Sequence, residues 1–183
     1  MICCFKGKFK VTSPRGNRVL GGKNEFHKGI DLVGIDDKTV FSISDGVVRR
    51  GSQPSGAGNY VVVTLDDGRR IYYMHLASFI AKDGARISKG DKIGVMGSTG
   101  KSTGAHTHLE LRPKGTTYQS LDICEFTGIP NKVGTYSYFP AAPAEEAKVF
   151  VKQKCGFEDK TMEYLSQYKY ADDLFIKLRN AMK

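Results

Sequence analysis

The chain has four histidines, and all of them fall in three short stretches: His27-Lys28-Gly29-Ile30-Asp31, Met74-His75-Leu76 and His106-Thr107-His108. A catalytic zinc site takes three protein ligands from histidine and carboxylate and keeps a fourth position for water. The H-x-x-x-D stretch offers one nitrogen and one oxygen. An H-x-H on a strand carries both imidazoles on one face, about 6.5–7 Å apart at Cα. That separation lets one ring bind a metal while the other hydrogen-bonds the water beside it. His75 follows a strand-like run and can face the same cleft. Unrelated surface or core histidines would not all occupy motif positions, so the spacing points to a metal centre.

The elements that would position these groups are strands. Residues 8–112 read as many short ones, among them Thr39–Ile43, Gly46–Arg50, Asn59–Leu65, Arg70–His75, Lys92–Gly97 and His106–Arg112. Ser44-Asp45-Gly46 marks a turn, and Asp66-Asp67-Gly68 joins two alternating runs into a hairpin. From His106 to Arg112 the residues alternate, with Leu109 and Leu111 on one face and His106, His108 and Glu110 on the other. Glu110 is expected to be a surface carboxylate rather than one that orients a histidine. The reading is a mainly β, antiparallel domain over 1–140. After the Pro/Ala-rich stretch Phe139-Pro140-Ala141-Ala142-Pro143-Ala144, read as a linker, glycine nearly vanishes and 144–183 form a small helical appendage. One candidate helix runs from Thr161 to Tyr168 with Met162 and Leu165 inward and Asp159 near its start. A second runs from Ala171 to Met182 with Leu174, Leu178, Ala181 and Met182 as its apolar stripe.

Composition sets the outer limits. Apolar residues make up 40% and charged residues 26%, enough to bury a core and too apolar for a disordered chain. No stretch of 18 apolar residues occurs, so no membrane span is expected. The net charge is +9, and it is uneven: 144–183 carry 8 Lys/Arg against 7 Asp/Glu, leaving +8 on the first 143 residues. Such a surface seeks polyanions, either nucleic acid or a teichoic-acid-bearing cell wall, and charge alone does not choose. Cys3, Cys4, Cys124 and Cys155 form no C-x-x-C pair and are expected to be free thiols. Met1 to Lys8 has no room for a signal-peptide apolar core, so synthesis in the cytoplasm without a signal peptide is expected. Gly100-Lys101-Ser102 lacks the upstream glycine of a phosphate-binding loop, where Val95 stands, and precedes a strand rather than a helix. Its glycines are expected to form a tight loop that a substrate backbone approaches.

The ordered set of motifs resembles the lysostaphin/LytM-type zinc metallopeptidases, peptidase family M23, through most of residues 11–112. The matching stretches are Thr12-Ser13-Pro14-Arg15-Gly16-Asn17-Arg18, Phe26-His27-Lys28-Gly29-Ile30-Asp31, Ser44-Asp45-Gly46-Val47-Val48, Tyr73-Met74-His75-Leu76, Lys89-Gly90-Asp91-Lys92-Ile93-Gly94 and Gly97 to Glu110. Two positions depart from the family's habit: Ala105 where a proline is common before the first histidine of H-x-H, and Leu109 where phenylalanine is common after the second. The resemblance implies an antiparallel LytM-like fold of the duplicated hybrid motif type. It also implies Zn²⁺ held by His27, Asp31 and His108, with His75 and His106 as the catalytic pair. His106, beside ligand His108, is assigned as general base on the water. His75 is assigned to the oxyanion or leaving amine, and the reverse assignment stays open. The implied activity is an endopeptidase acting on peptidoglycan stem peptides or cross-bridges, which makes the polyanion an anionic wall polymer and sets nucleic acid aside. The alternative is a non-catalytic LytM-type activator that binds the wall, although every ligand and both catalytic histidines are present. Action on the wall after release, as a phage or prophage lysin or on a virion, is the expected setting, with an excised domain of a larger protein as the other. Ser52 to Asn59 is the candidate loop for bond preference. The appendage is expected to bind wall or partner, or to dock as stabilising helices.

Overall fold

Alternation of side chains decides which face of each strand is buried. In β1 (Gly7–Ser13) Phe9 and Val11 point inward while Lys8 and Lys10 are exposed. The computed structural model describes residues 1–116, 118–138, 143–167 and 171–182. The remaining strands are β2 (Gly16–Leu20), β3 (Lys23–His27), β4 (Ile30–Gly34), β5 (Thr39–Phe41), β6 (Gly46–Gln53), β7 (Gly58–Thr64), β8 (Arg70–Phe79), β9 (Arg86–Ile87), β10 (Lys92–Met96), β11 (Thr107–Arg112) and β12 (Gly134–Tyr138). Among the described residues, ten strands form one antiparallel sheet in the order β12-β1-β4-β11-β8-β7-β6-β9, with β10 pairing both β8 and β5. β2 and β3 make a separate two-stranded ribbon.

The fold is therefore mainly antiparallel β, as the alternation predicts. The Asp66-Asp67-Gly68 turn joins β7 to β8, with Thr64 opposite Arg70 and Gly68 in the left-handed region at φ 87°. The core of this unit is built from Phe5, Phe9, Ile30, Leu32, Ile71, Tyr73, Leu76, Ile93, Leu109 and Leu111, each 2% exposed or less. Burying each side chain of this size removes roughly 1.5–3 kcal/mol of apolar exposure. Tyr73 also accepts a hydrogen bond at its hydroxyl from the Ile43 amide, 3.0 Å away. Two elements of this unit went unread in the sequence: β12, which pairs β1, and α1 (Ile123–Thr127), capped by the Asp122 side chain and ended by Gly128 at φ 70°. All four cysteines are free, Cys3, Cys4 and Cys124 buried and Cys155 exposed.

The chain divides into two compact units, Met1–Phe139 and Pro140–Lys183. The second contains α2 (Pro143–Cys155), α3 (Asp159–Ser166) and α4 (Ala171–Ala181). Its core is Ala147, Val151, Met162, Ala171 and Phe175, with Leu165, Ile176 and Leu178 packed around it. The end of the stretch read as a linker is instead the start of α2, since proline suits a helix's first position, where no amide partner is needed. The apolar stripe of α4 also differs from the expected one: Ala171 and Phe175 are buried, Leu174 and Leu178 half-buried, and Ala181 and Met182 exposed. A phenylalanine at the centre rotates the buried face toward it. Met162 and Leu165 lie inward as expected. α3 begins at Asp159, two residues before the expected Thr161, so Asp159 stands at its start as expected, and it pairs with Lys152. Tyr168 lies outside the described residues. Among the described residues, no helix is long and apolar enough to cross a membrane.

Candidate metal centre

β3 ends at His27 opposite Gly16, the chain bends at Gly29, and β4 continues in the same direction with Asp31 opposite Ser13. β11 lies against β4 with His108 directly opposite Asp31. Three atoms meet as a result. His27 Nε2 is 3.2 Å from Asp31 Oδ1, His108 Nδ1 is 2.8 Å from that oxygen, and the two nitrogens are 3.0 Å apart. Two imidazole nitrogens and a carboxylate oxygen so close together form a group that could hold a metal ion. Gly29 makes room for it: a Cβ there would lie 2.7 Å from His108 Nε2 and 2.3 Å from the Leu109 carbonyl.

His106 and His75 stand beside this group. His106 precedes β11, bridged to Gly97, and its Nε2 is 3.7 Å from Asp31 Oδ1. The rings of His75 and His106 are 4.8 Å apart, and those of His75 and His108 6.3 Å. Strict alternation along β8 would send His75 to the core with Tyr73. A bulge prevents this. The register against β7 slips between Asn59 and Val61, and His75 adopts φ 65°, the left-handed region that a non-glycine residue rarely enters. Leu76 then takes the core position and His75 returns to the face that carries His108.

Hydrogen bonds fix which nitrogen of each ring is free. His27 Nδ1 donates to the Pro14 carbonyl at 2.8 Å, His75 Nδ1 to that of Thr99 at 2.9 Å, and His106 Nδ1 to that of Gly104 at 2.8 Å. In the neutral rings this leaves Nε2 of all three as a bare lone pair. Burial holds the His75 pKa below its usual range, with its neighbours His106 and His108 adding to the effect. Burial would raise the Asp31 pKa, but the imidazoles of His108 and His27 beside it win and hold it far below the usual carboxylate range. Arg18 Nη1 approaches the other Asp31 oxygen at 3.4 Å. His108 has its pKa raised despite burial, because Asp31 and Glu110 flank its two nitrogens.

The structure thus brings His27, Asp31, His75, His106 and His108 to one site. One sequence reading needs correction. Glu110 is not a surface carboxylate: it is 3% exposed, with Oε2 3.4 Å from His108 Nε2 and with both oxygens gripped by Arg112. Burial opposes its ionisation, yet His108 and Arg112 lower its pKa to about 2. Gly100 is exposed in a tight loop, and on its other side a Cβ would sit 2.2 Å from Gly58 N and 2.5 Å from Gly56 O. The stretch Ser52–Asn59 is the tip of the β6–β7 hairpin, and it buttresses the site. Ala57 O accepts from the His75 amide at 2.9 Å, and Gly56 O from the Lys101 amide at 2.8 Å. Arg18, Arg112 and Thr99 carried no assigned role in the sequence. The same-face spacing of Arg112 and Glu110 was the one signal that could have found a member of this set.

The profile of Peptidase family M23 matches residues 25–120, just over half of the chain. The peptidoglycan DD-endopeptidase ShyA of Vibrio cholerae is 33% identical over 130 residues, 68% of this chain and 30% of that protein. The DD-carboxypeptidase/endopeptidase Mpg of Neisseria meningitidis is 34% identical over 116 residues, 62% of this chain and 27% of that one. The chain therefore spans less than a third of the length of these curated relatives. Among solved structures, the catalytic domain of the prophage-encoded M23 protein EnpA from Enterococcus faecalis aligns with TM-score 0.55 and 32% identity, covering 62% of this chain and 87% of that one. Lysostaphin from Staphylococcus simulans aligns with TM-score 0.58 and 28% identity, covering 66% and 49%.

Proposed function

The chain belongs to peptidase family M23, and from that premise we propose that it is a zinc-dependent endopeptidase of peptidoglycan stem peptides or cross-bridges. The observation that carries the reading is the triangle of His27 Nε2, Asp31 Oδ1 and His108 Nδ1, with edges of 2.8 to 3.2 Å. A tetrahedral zinc ion with bonds of about 2.0–2.1 Å has ligand–ligand edges of about 3.3 Å, so the donors fit in type and spacing. When bound, zinc supplies the Lewis acidity that acidifies water and polarises the scissile carbonyl. His106, with Nε2 free and 3.7 Å from Asp31 Oδ1, accepts the proton of the attacking water. His75 serves the oxyanion and the leaving amine. The rings of His75 and His106 are 4.8 Å apart, so the proton that His106 takes from the water can pass to His75 Nε2 and on to the amine, and the burial that lowers the His75 pKa favours its release.

The peptidoglycan substrate is supported by the names of ShyA, an endopeptidase of that polymer, and of the endopeptidase Mpg. The excess of Lys and Arg in the first 143 residues suits an anionic wall polymer as a further partner. Similarity to prophage-encoded EnpA supports a lysin setting. The test is hydrolysis of isolated peptidoglycan by the purified full chain, with zinc content measured alongside. Stoichiometric zinc, and loss of hydrolysis on chelation and in His108→Ala, are expected. An unchanged rate after either treatment would refute the reading, and no hydrolysis by a chain that still binds the wall would favour the wall-binding activator. Mass spectrometry of fragments from defined peptidoglycans identifies the bond.

A further inference from the structure

Resting on the metal reading above, we propose that Glu110, gripped by Arg112, is the positioning residue that makes His108 ligate through Nδ1. A neutral imidazole carries one proton, and only the nitrogen without it can bind a metal. His108 turns Nδ1 toward Asp31 and His27, and Nε2 toward Glu110 Oε2 at 3.4 Å. An ionised carboxylate only accepts, so the proton belongs on Nε2 and the lone pair on Nδ1. The other three site histidines are held by backbone carbonyls, of Pro14, Thr99 and Gly104. His108 instead rests on a side chain, which a single substitution can neutralise.

That side chain is itself fixed. Arg112 Nε and Nη2 bind Oε1 and Oε2 at 2.9 and 3.0 Å, the two-pronged geometry that prevents the carboxylate from turning. The guanidinium lies 3.9 Å over the Tyr72 ring. His108, Glu110 and Arg112 share one face of β11, and Tyr72 sits directly opposite Glu110 on β8. On its other side, the His108 ring abuts Gly29, where a Cβ would lie within 2.8 Å of two ring atoms. A salt bridge that merely tied the strand together would not need to end on the ligand's remote nitrogen.

The experiment measures zinc affinity of the full chain by competition with a chromophoric chelator, in wild type, Glu110→Gln, Arg112→Met and the double variant. Glu110→Gln should weaken zinc about 10- to 100-fold and alter the visible spectrum of the cobalt-substituted protein. The metal-free form should melt close to wild type. Arg112→Met should weaken zinc less, and the double variant no more than Glu110→Gln, because both act through one ring. If Glu110→Gln misfolds, Arg112→Lys, which keeps the charge and loses the two-pronged grip, should still weaken zinc severalfold in a folded protein. Wild-type affinity and an unaltered cobalt spectrum in Glu110→Gln, or in a folded Arg112→Lys if it must stand in, overturn the proposal. Failure of the wild type to bind zinc overturns the metal reading itself, which separates the two.

Discussion

Gly100→Ala tests whether two crossing loops hold His75 independently of the metal ligands. Gly100 has φ 72°, and a Cβ on it would lie 2.2 Å from Gly58 N, 2.5 Å from Gly56 O and 2.5 Å from Gly58 Cα, all backbone. None of those atoms can swing aside as a side chain would. The left-handed conformation costs a non-glycine residue about 1–2 kcal/mol, and overpacking adds about 1–3 kcal/mol. The total, roughly 2–5 kcal/mol, corresponds to a Tm lowered by roughly 4–20 °C at about 2–4 °C per kcal/mol. The strain is relieved by moving the loop that carries Thr99. That loop holds His75 through Thr99 O, and Thr99 Oγ1 binds Asn59 N and Leu76 O at 2.9 and 2.8 Å. The proposed ligands His27, Asp31 and His108 come from β3, β4 and β11, away from this crossing. Gly100→Ala should therefore keep zinc within about twofold of wild type while kcat falls at least about tenfold, a part of the about 10²–10⁴-fold that acid–base catalysis contributes. The assays are calorimetry, zinc titration and hydrolysis of a soluble stem peptide. Wild-type melting and wild-type kcat would refute the reasoning, and so would loss of zinc in parallel with activity.

Removing the imidazoles that the triangle does not use should separate binding from chemistry: His75→Ala and His106→Ala each keep stoichiometric zinc by metal analysis but lose about 10²–10⁴ in kcat. Gly29→Ala should do the opposite, because its Cβ would press on His108 Nε2 and the Leu109 carbonyl; chelator competition should show weakened zinc binding. Alkylation of the native protein at pH 8 should label Cys155 alone, since it is the exposed thiol and burial pushes the thiols of Cys4 and Cys124 up, the latter to about 11. Mass spectrometry should find all four cysteines labelled after unfolding.

The cluster of candidate residues was legible because it depends on side-chain types at short spacings, while the choice of His27, Asp31 and His108 within it came from the family resemblance. His27 and Asp31 are four residues apart on either side of a bend, and His106 and His108 are two apart at the start of a strand. The strands that carry them follow from the alternation of Val, Ile, Leu and Tyr with polar residues. α2 was not legible, because Pro-Ala-rich sequence serves a linker and a helix start equally well. The face of α4 was misjudged by taking leucines as the markers of burial, when Phe175, the larger side chain, fills the centre of that core.

His75 marks the limit of such reading. Period-two alternation assigns it to the core, and nothing in Tyr73-Met74-His75-Leu76 encodes the φ of 65° that reverses it. The reversal is held from outside the strand, by the Ala57 carbonyl on its amide and the Thr99 carbonyl on its ring. Backbone carbonyls are present in every residue, so a sequence cannot display which of them will serve. What the sequence does display is the consequence of their crossing: Gly58 and Gly100, where a Cβ on either would strike the other loop's backbone. A glycine far from the chemistry in sequence can thus be as much a condition of His75's placement as the histidine itself. The same logic explains why Glu110 was misassigned. Its reach to His108 was visible in the shared strand face, but its burial depends on Arg112 neutralising it. A carboxylate two residues from an arginine on one strand face is therefore better read as half of a buried pair than as a solvent-facing charge whenever the face also carries a ligand.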